Sequence, residues 1–247
     1  MKCYEKFAHI YDDLINTDIN YDLWCKKIIS LCRELNISKK SYLDLACGTG
    51  NLTEKLALYF QIAWGVDLSQ EMLTEAEKKL RSKGLKVNLI HQDISELRLN
   101  KKFNLITCCL DSTHYILDEL KLKNYFKNIF NHLDSNGIFI FDINSHYKIT
   151  NILGNNTYTY DSEDITYIWN NFLENEIVDM YLTFFIKDGE LYRRFDEHHR
   201  ERAYTCNYIE KILTDCNLHI AAKLDNYQDK PISSTSLRIV YVVKKHI

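Results

Sequence analysis

Short apolar runs and amphipathic stretches take turns along the first 143 residues of the chain. After an amphipathic segment at about Tyr21–Leu35, the runs Tyr42–Leu45, Ile62–Val66, Val87–His91, Leu105–Leu110 and Ile138–Ile143 read as strands buried on both faces. Between them, Leu52–Tyr59, Gln70–Ser82 and Glu119–Leu133 carry helical stripes. Strand, helix, strand at this spacing predicts right-handed crossovers and a parallel sheet with helices on both faces. A ligand of such a sheet sits beyond the carboxyl ends of the strands, at the switch point beside the first one.

The alternation stops after Ile143. From Tyr158 to Arg202 the period becomes two and the composition turns to Tyr, Phe, Trp and Thr, as in antiparallel strands. Asp188-Gly189 reads as a two-residue hairpin turn, with Lys187 facing Glu190. That register places Val178, Met180, Leu182, Phe184 and Ile186 on one face with Leu191, Arg193, Phe195, Glu197 and His199. The face is mostly apolar and should point inward, yet Arg193, Glu197 and His199 interrupt it. Either these three pair with one another at the end of the sheet, or Glu197 and His199 line the cavity of a reacting molecule and are catalytic candidates. A helix at Asn207–Cys216 and strands near Leu218–Asn226 and Leu237–Val243 close the chain, the last two compatible with an antiparallel edge. The pattern thus divides into an α/β domain of residues 1–144 and 203–247, with an N-terminal helical cap, and an inserted antiparallel region of residues 145–202.

Composition narrows the partners. A net charge of -3 creates no positive field toward nucleic acid or anionic lipid, so a small molecule is favoured and nucleic acid is not. The eight cysteines form no CxxC pair and no zinc spacing, so no metal is expected. No signal-peptide pattern opens the chain and no apolar stretch is long enough to span a membrane. Reduced thiols in a cytoplasmic protein are the expectation.

The chemistry is carried by Leu43-Asp44-Leu45-Ala46-Cys47-Gly48-Thr49-Gly50-Asn51, which ends the first strand and opens a helix. Gly48 and Gly50 allow the backbone close to a ligand. The dinucleotide pattern GxGxxG wants another small residue at position 53, where Thr53 stands. Asp44 would repel a pyrophosphate but suits a cationic amino-acid group. Asp67 ends the second strand, where an acid accepts ribose hydroxyls in nucleoside-binding α/β folds. Asp93 follows the third strand, where a carboxylate can accept from an adenine amino group.

These motifs in order resemble the class I S-adenosylmethionine-dependent methyltransferases, over about Tyr4 to Ile143 and again from Asn207 onward. The resemblance implies a Rossmann-like seven-stranded, mostly parallel sheet in the order 3-2-1-4-5-7-6, with the antiparallel β insert after strand 5. It implies S-adenosyl-L-methionine as cofactor, held by Asp44, Ala46, Cys47, Gly48 and Gly50, with Asp67 on the ribose. Leu68, Met72, Asp93 and Ile94 match the adenine neighbours, and Leu110 the carbonyl that meets the methionine amino group. It sets Asn136-Gly137 as the turn into the fifth strand. The family's N-terminal segment covers the cofactor, and its Tyr-Asp pair matches Tyr11-Asp12. Tyr4, Phe7, Tyr11, Tyr21 and Trp24 fit that role or a plain aromatic packing seam equally well.

No Asn/Asp-Pro-Pro-aromatic run follows the fourth strand, as exocyclic-amine base methylation would show, and no carboxylate cluster suggests a metal-assisted reaction. Cys108 and Cys109 read as buried strand residues rather than nucleophiles. The expected reaction is methylation of N or O on a small molecule, with His199, His114 or a tyrosine as base if one is used. The rivals are a nicotinamide-dependent oxidoreductase, which Asp44 and Thr53 disfavour, and a non-catalytic adenosylmethionine-binding protein.

Overall fold

The computed structural model describes residues 11–12, 14–15 and 19–246; Tyr4 and Phe7, named above, lie outside them. Five strands alternate with helices: β1 (Ser41–Leu45), β2 (Ile62–Asp67), β3 (Val87–His91), β4 (Phe103–Cys108) and β5 (Leu133–Asn144). The helices are α1 (Tyr21–Glu34), ahead of β1, then α2 (Asn51–Ala57), α3 (Gln70–Ser82) and α4 (Glu119–His132). A second run of strands follows: β6 (Thr157–Asp161), β7 (Ile165–Glu174), β8 (Ile177–Asp188) and β9 (Leu191–Arg202). The chain ends with α5 (Cys206–Asp215), β10 (Leu218–Asp225) and β11 (Arg238–Lys245).

The main sheet runs β10-β11-β5-β4-β1-β2-β3. The first five strands pair in parallel, and β11 lies antiparallel between β5 and β10. This is the order 3-2-1-4-5-7-6. Period-two alternation sends Leu43 and Leu45 to one core with Phe126, Phe141 and Ile209, and Tyr42 to the other with Trp24, Ile28 and Val240. Side-chain caps start the helices cleanly: Asn20 accepts from Leu23 N, Ser69 from Met72 N, Asp118 from Lys121 N and Thr205 from Tyr208 N. Trp24 stacks on Tyr227 at 4.3 Å, so this N-terminal aromatic belongs to a packing seam. No helix among the described residues is long and apolar enough to cross a membrane.

Three local readings change. The fourth strand ends at Cys108 rather than Leu110, because Leu110 and Asp111 turn into the left-handed region at φ +57 and +50. Their N–H groups donate to the Asp142 carboxylate at 3.0 and 2.9 Å instead of to the sheet. Cys109 therefore lies just past the strand, although both cysteines are buried, and burial pushes the Cys108 thiol up to about 12. Asn136-Gly137 is not the turn into β5 but part of that strand's bulge, where pairing steps from Phe103↔Leu133 to Leu105↔Ile138. The glycine is required by close approach, since a Cβ there would lie 2.8 Å from the Phe103 carbonyl oxygen.

The third change is the hairpin register. β6-β7-β8-β9 form a separate antiparallel sheet, but the β8–β9 loop is Gly189-Glu190, with Asp188 opposite Leu191 and Lys187 opposite Tyr192. Gly189, at φ +65, takes the first loop position, where a two-residue turn favours glycine. The shift is two places, so the faces survive: Met180 faces His199 and Leu182 faces Glu197. Arg193 stays near the exposed tip and pairs with Asp188 at 2.7 Å, so of the three interrupting residues only Glu197 and His199, 3.9 Å apart, lie together. The inner face packs Phe184 and Phe195 against Tyr11 and Leu14, and Val178 and Met180 against Ile149 and Ala203.

Candidate active site

The loop after β1 folds tightly because three of its residues take positive φ: Ala46 (+51), Gly48 (+54) and Gly50 (+79). Cys47 N donates to Val66 O and Gly50 N to Cys47 O, which fastens the loop to the end of β2. Asp67, closing β2, holds it from the other side. Its Oδ2 accepts Gly48 N–H at 2.7 Å and its Oδ1 accepts Ser69 N–H at 2.8 Å.

Asp44 lies buried beneath the loop and accepts from Thr107 Oγ1 at 2.6 Å and Thr53 Oγ1 at 2.5 Å. Burial pushes its carboxyl up to about 6, against those hydroxyl hydrogen bonds. Thr53, which broke the dinucleotide pattern in the sequence, is thus, with Thr107, one of two residues that steady the motif's acid. Asp93 follows β3 and holds its own turn, accepting from Ser95 N at 2.8 Å and Ser95 Oγ at 2.7 Å.

A cavity of about 950 Å³ opens over these strand ends. Tyr11, Asp44, Ala46, Cys47, Gly48, Asp67, Leu68, Met72, Asp93, Ile94 and Leu110 all line it, so eleven positions spread over a hundred residues of sequence meet at one site. Gly50 stands just behind as the N-cap of α2. Glu197 and His199 are buried on β9 without lining the cavity. Tyr115, which does line it, places its hydroxyl 3.1 Å from His199 Nδ1.

The N-terminal Tyr-Asp pair splits its work. Tyr11 reaches the cavity, while Asp12 fastens the segment by accepting from Thr49 Oγ1 at 2.6 Å and Asn51 Nδ2 at 2.9 Å and pairing with Lys79 at 2.5 Å. Burial opposes its charge, yet Lys79, Thr49 and Asn51 hold the Asp12 carboxyl below its ordinary value.

Sequence reasoning missed a buried clamp behind Leu110. Arg238 of β11 pairs with Asp142 of β5 and with Asp111, the latter at 2.7 Å, and Tyr227 OH donates to Asp142 at 2.6 Å. The signal was present. An acid inside Ile138–Ile143 and a base beside Val240 interrupt strands that otherwise read as apolar, and such charges must pair. Tyr115 and Arg200 were also missed as lining residues, since neither carries a motif.

The residues present fit adenosylmethionine. A Cβ on Gly48 would meet nothing within 4 Å, and Gly48 lines the cavity, so the loop leaves open space there for a ligand to approach its backbone. Asp67 offers an acceptor-only carboxylate suited to a vicinal diol. Leu68 stays 61% exposed at the cavity, a cost for a large apolar side chain that a flat ring would relieve.

Comparison with known proteins agrees. Residues 43–137 match the family model described as a methyltransferase domain. The chain is 32% identical over 245 residues to YqeM of Bacillus subtilis (strain 168), which carries a methyltransferase name, covering 98% of this chain and 97% of that one. It is 30% identical over 135 residues to the dTDP-3-amino-3,4,6-trideoxy-alpha-D-glucopyranose N,N-dimethyltransferase of Streptomyces venezuelae, covering 54% and 55%. The crystal structure of an S-adenosylmethionine-dependent methyltransferase from Clostridium acetobutylicum ATCC 824 superposes with a TM-score of 0.93, at 55% identity over 99% of both chains. The chain belongs to the class I S-adenosylmethionine-dependent methyltransferases.

Proposed function

We propose that this enzyme methylates a nitrogen or oxygen of a small metabolite, with the antiparallel region of residues 145–202 covering the acceptor. The observation that carries the reading is the shared cavity. Eleven residues of cofactor-binding type line it together with Tyr115, Ile116 and Arg200, which come from the turn after β4 and from β9. Its 950 Å³ lies at the top of the range for one drug-sized ligand, so an acceptor has room beside the donor. The Streptomyces relative, whose name gives an amino-sugar nucleotide as its substrate, supports a small-molecule acceptor.

In this reading Asp67 takes the ribose hydroxyls, and Leu68, Met72 and Ile94 flank the adenine, with Asp93 at its amino edge. Gly48 and its neighbours give the close backbone approach. Asp44 and the Leu110 carbonyl face the methionine ammonium, and Tyr11 closes that end. Adenosylmethionine, when bound, supplies an electrophilic methyl group on a sulfonium. The protein's work is then to align the acceptor and exclude water, and alignment alone is worth about 7–11 kcal/mol of barrier. Labelled methyl from adenosylmethionine should appear in the small-molecule fraction of a deproteinised cell extract. Label confined to protein or nucleic acid would contradict the reading.

Two further results are expected. Asp67→Ala should weaken adenosylhomocysteine binding by about 1–3 kcal/mol, the worth of a hydrogen bond to a charged acceptor. Calorimetry finding an unchanged Kd in the folded variant would remove Asp67 from the site. Affinity for adenosylmethionine should also fall with acidity. The Asp44 carboxyl protonates near pH 6 in the free protein, and a cationic ammonium favours its ionised form. Binding is therefore strongest above pH 6 and falls by up to about tenfold per unit below it. Asp44→Asn should flatten that slope between pH 5 and 7.5, and an equal slope in both proteins would show that Asp44 does not face the ammonium.

A further inference from the structure

Among the described residues, the lysine and arginine side chains that line the cavity are Lys121 of α4 and Arg200 of β9. Lys121 forms no ion pair with a described residue. Asp118, which also lines the cavity, accepts the Lys121 N–H at 2.8 Å as the cap of α4.

Arg200 stands opposite Asp179 of β8 in the antiparallel pair. Its Nε is buried and lies 2.9 Å from Asp179 Oδ1, an ion pair without the alignment of a hydrogen bond. His198 Nε2 lies 2.7 Å from the same oxygen, so Asp179 is shared between two groups. No N–H of Arg200 donates a hydrogen bond to a described residue, and the side chain stays 39% exposed. A guanidinium presents five donors in a planar fork, which matches a carboxylate or phosphate through two parallel bonds. With Nε held against Asp179, the terminal nitrogens are left for such a partner.

Two residues on, on the same face of β9, Arg202 reaches Glu119 at 3.5 Å. That places Arg200 beside the first turn of α4, which also carries Lys121. The donor's own carboxylate goes with its ammonium to Asp44 and Leu110, so the anion left for Arg200 is the acceptor's.

We propose that Arg200, with Lys121 as a second cation, binds a carboxylate or phosphate group of the methyl acceptor and so decides which small molecules are methylated. The proposal rests on the cavity being the methyl-transfer site and adds the acceptor's chemical class, an acid or a phosphate ester. A molecule without such a group is a poor acceptor. Arg200 holds the acceptor by a group remote from the nucleophilic atom, so its loss raises KM more than it lowers kcat.

The test has two arms. In the first, the wild-type complex with adenosylhomocysteine is titrated with inorganic phosphate and with acetate at constant ionic strength. The 15N signal of Arg200 Nε, identified by its loss in Arg200→Lys, should shift saturably with at least one of them, and the tighter anion tells phosphate from carboxylate. A saturable shift with neither would overturn the proposal. In the second, wild type, Arg200→Gln and Arg200→Lys are compared for adenosylhomocysteine affinity and for transfer of labelled methyl into a deproteinised cell extract. Affinity should stay within about twofold. Transfer at limiting extract should fall about tenfold or more in Arg200→Gln, as for a lost charge-assisted contact. The deficit should shrink at excess extract and be smaller in Arg200→Lys, which keeps the charge. Inorganic phosphate should inhibit the wild type and spare Arg200→Gln. Wild-type transfer by Arg200→Gln would refute the assignment. So would a large loss of adenosylhomocysteine affinity in a variant that unfolds at the wild-type temperature, since Arg200 would then hold the donor. A wild-type protein that does not bind adenosylhomocysteine would instead refute the reading of the cavity, and one that binds it but labels no small molecule would refute the small-molecule acceptor.

Discussion

Gly48→Val should abolish measurable binding of adenosylhomocysteine while leaving a folded protein. The site explains why the two effects separate. Gly48 has φ +54 and donates its N–H to Asp67, and a Cβ at this position would touch no protein atom within 4 Å. The fold has room for the new side chain, so its own penalty is the left-handed backbone, about 1–2 kcal/mol for a residue with a Cβ. The ligand has no such room, because the branched side chain occupies the cradle. Gly50→Val should behave in the opposite way: at φ +79 its Cβ would press on the Cβ of Ala76 at 3.3 Å, so stability falls first. Calorimetry and thermal unfolding of the pair distinguish the cases. A Gly48→Val protein with a wild-type Kd would mean that the loop does not meet the ligand.

Asp142→Ala should cost about 3–5 kcal/mol of stability, the loss expected when one partner of a buried ion pair is removed. Asp142 is fully buried and satisfies Arg238, the Tyr227 hydroxyl and the N–H groups of Leu110 and Asp111. Among the described residues, its removal leaves Arg238 with Asp111 as its remaining ion-pair partner and frees the left-handed turn that carries Leu110 into the cavity. Urea unfolding measures the loss, and adenosylhomocysteine affinity should fall with it. Asp142→Asn, which keeps an oxygen acceptor, should lose less. A change below about 1 kcal/mol in Asp142→Ala would show that the clamp is not what holds the turn.

The sheet and the glycine loop after β1 were legible because their signals are local. Apolar runs bounded by turn residues located β1 to β5, and Gly48 and Gly50, following Asp44 and Cys47, located the loop. The insert's faces were readable from period two alone, and they survived a wrong turn because the register moved by an even number of places. The turn itself was misread because Asp-Gly suits a hairpin loop so well, whereas Asp188 stays in the strand and pairs with Arg193. What could not be read was contact between distant segments. The Asp142–Arg238 clamp joins residues 96 positions apart, and Tyr115 meets His199 across 84. Only the fold brings them together. Of the two readings open for Glu197 and His199, lining the cavity is not what the structure shows, because parity gives the inner face but not what stands between that face and the cavity.

The most direct test of the account is a crystal structure of the chain with adenosylhomocysteine. The ribose hydroxyls should lie within hydrogen-bond distance of the Asp67 carboxylate, the adenine against Leu68 and Ile94, and the sulfur should face the open volume beside Tyr115. A nucleoside bound away from Asp67, or a sulfur pointing away from Tyr115, would contradict it.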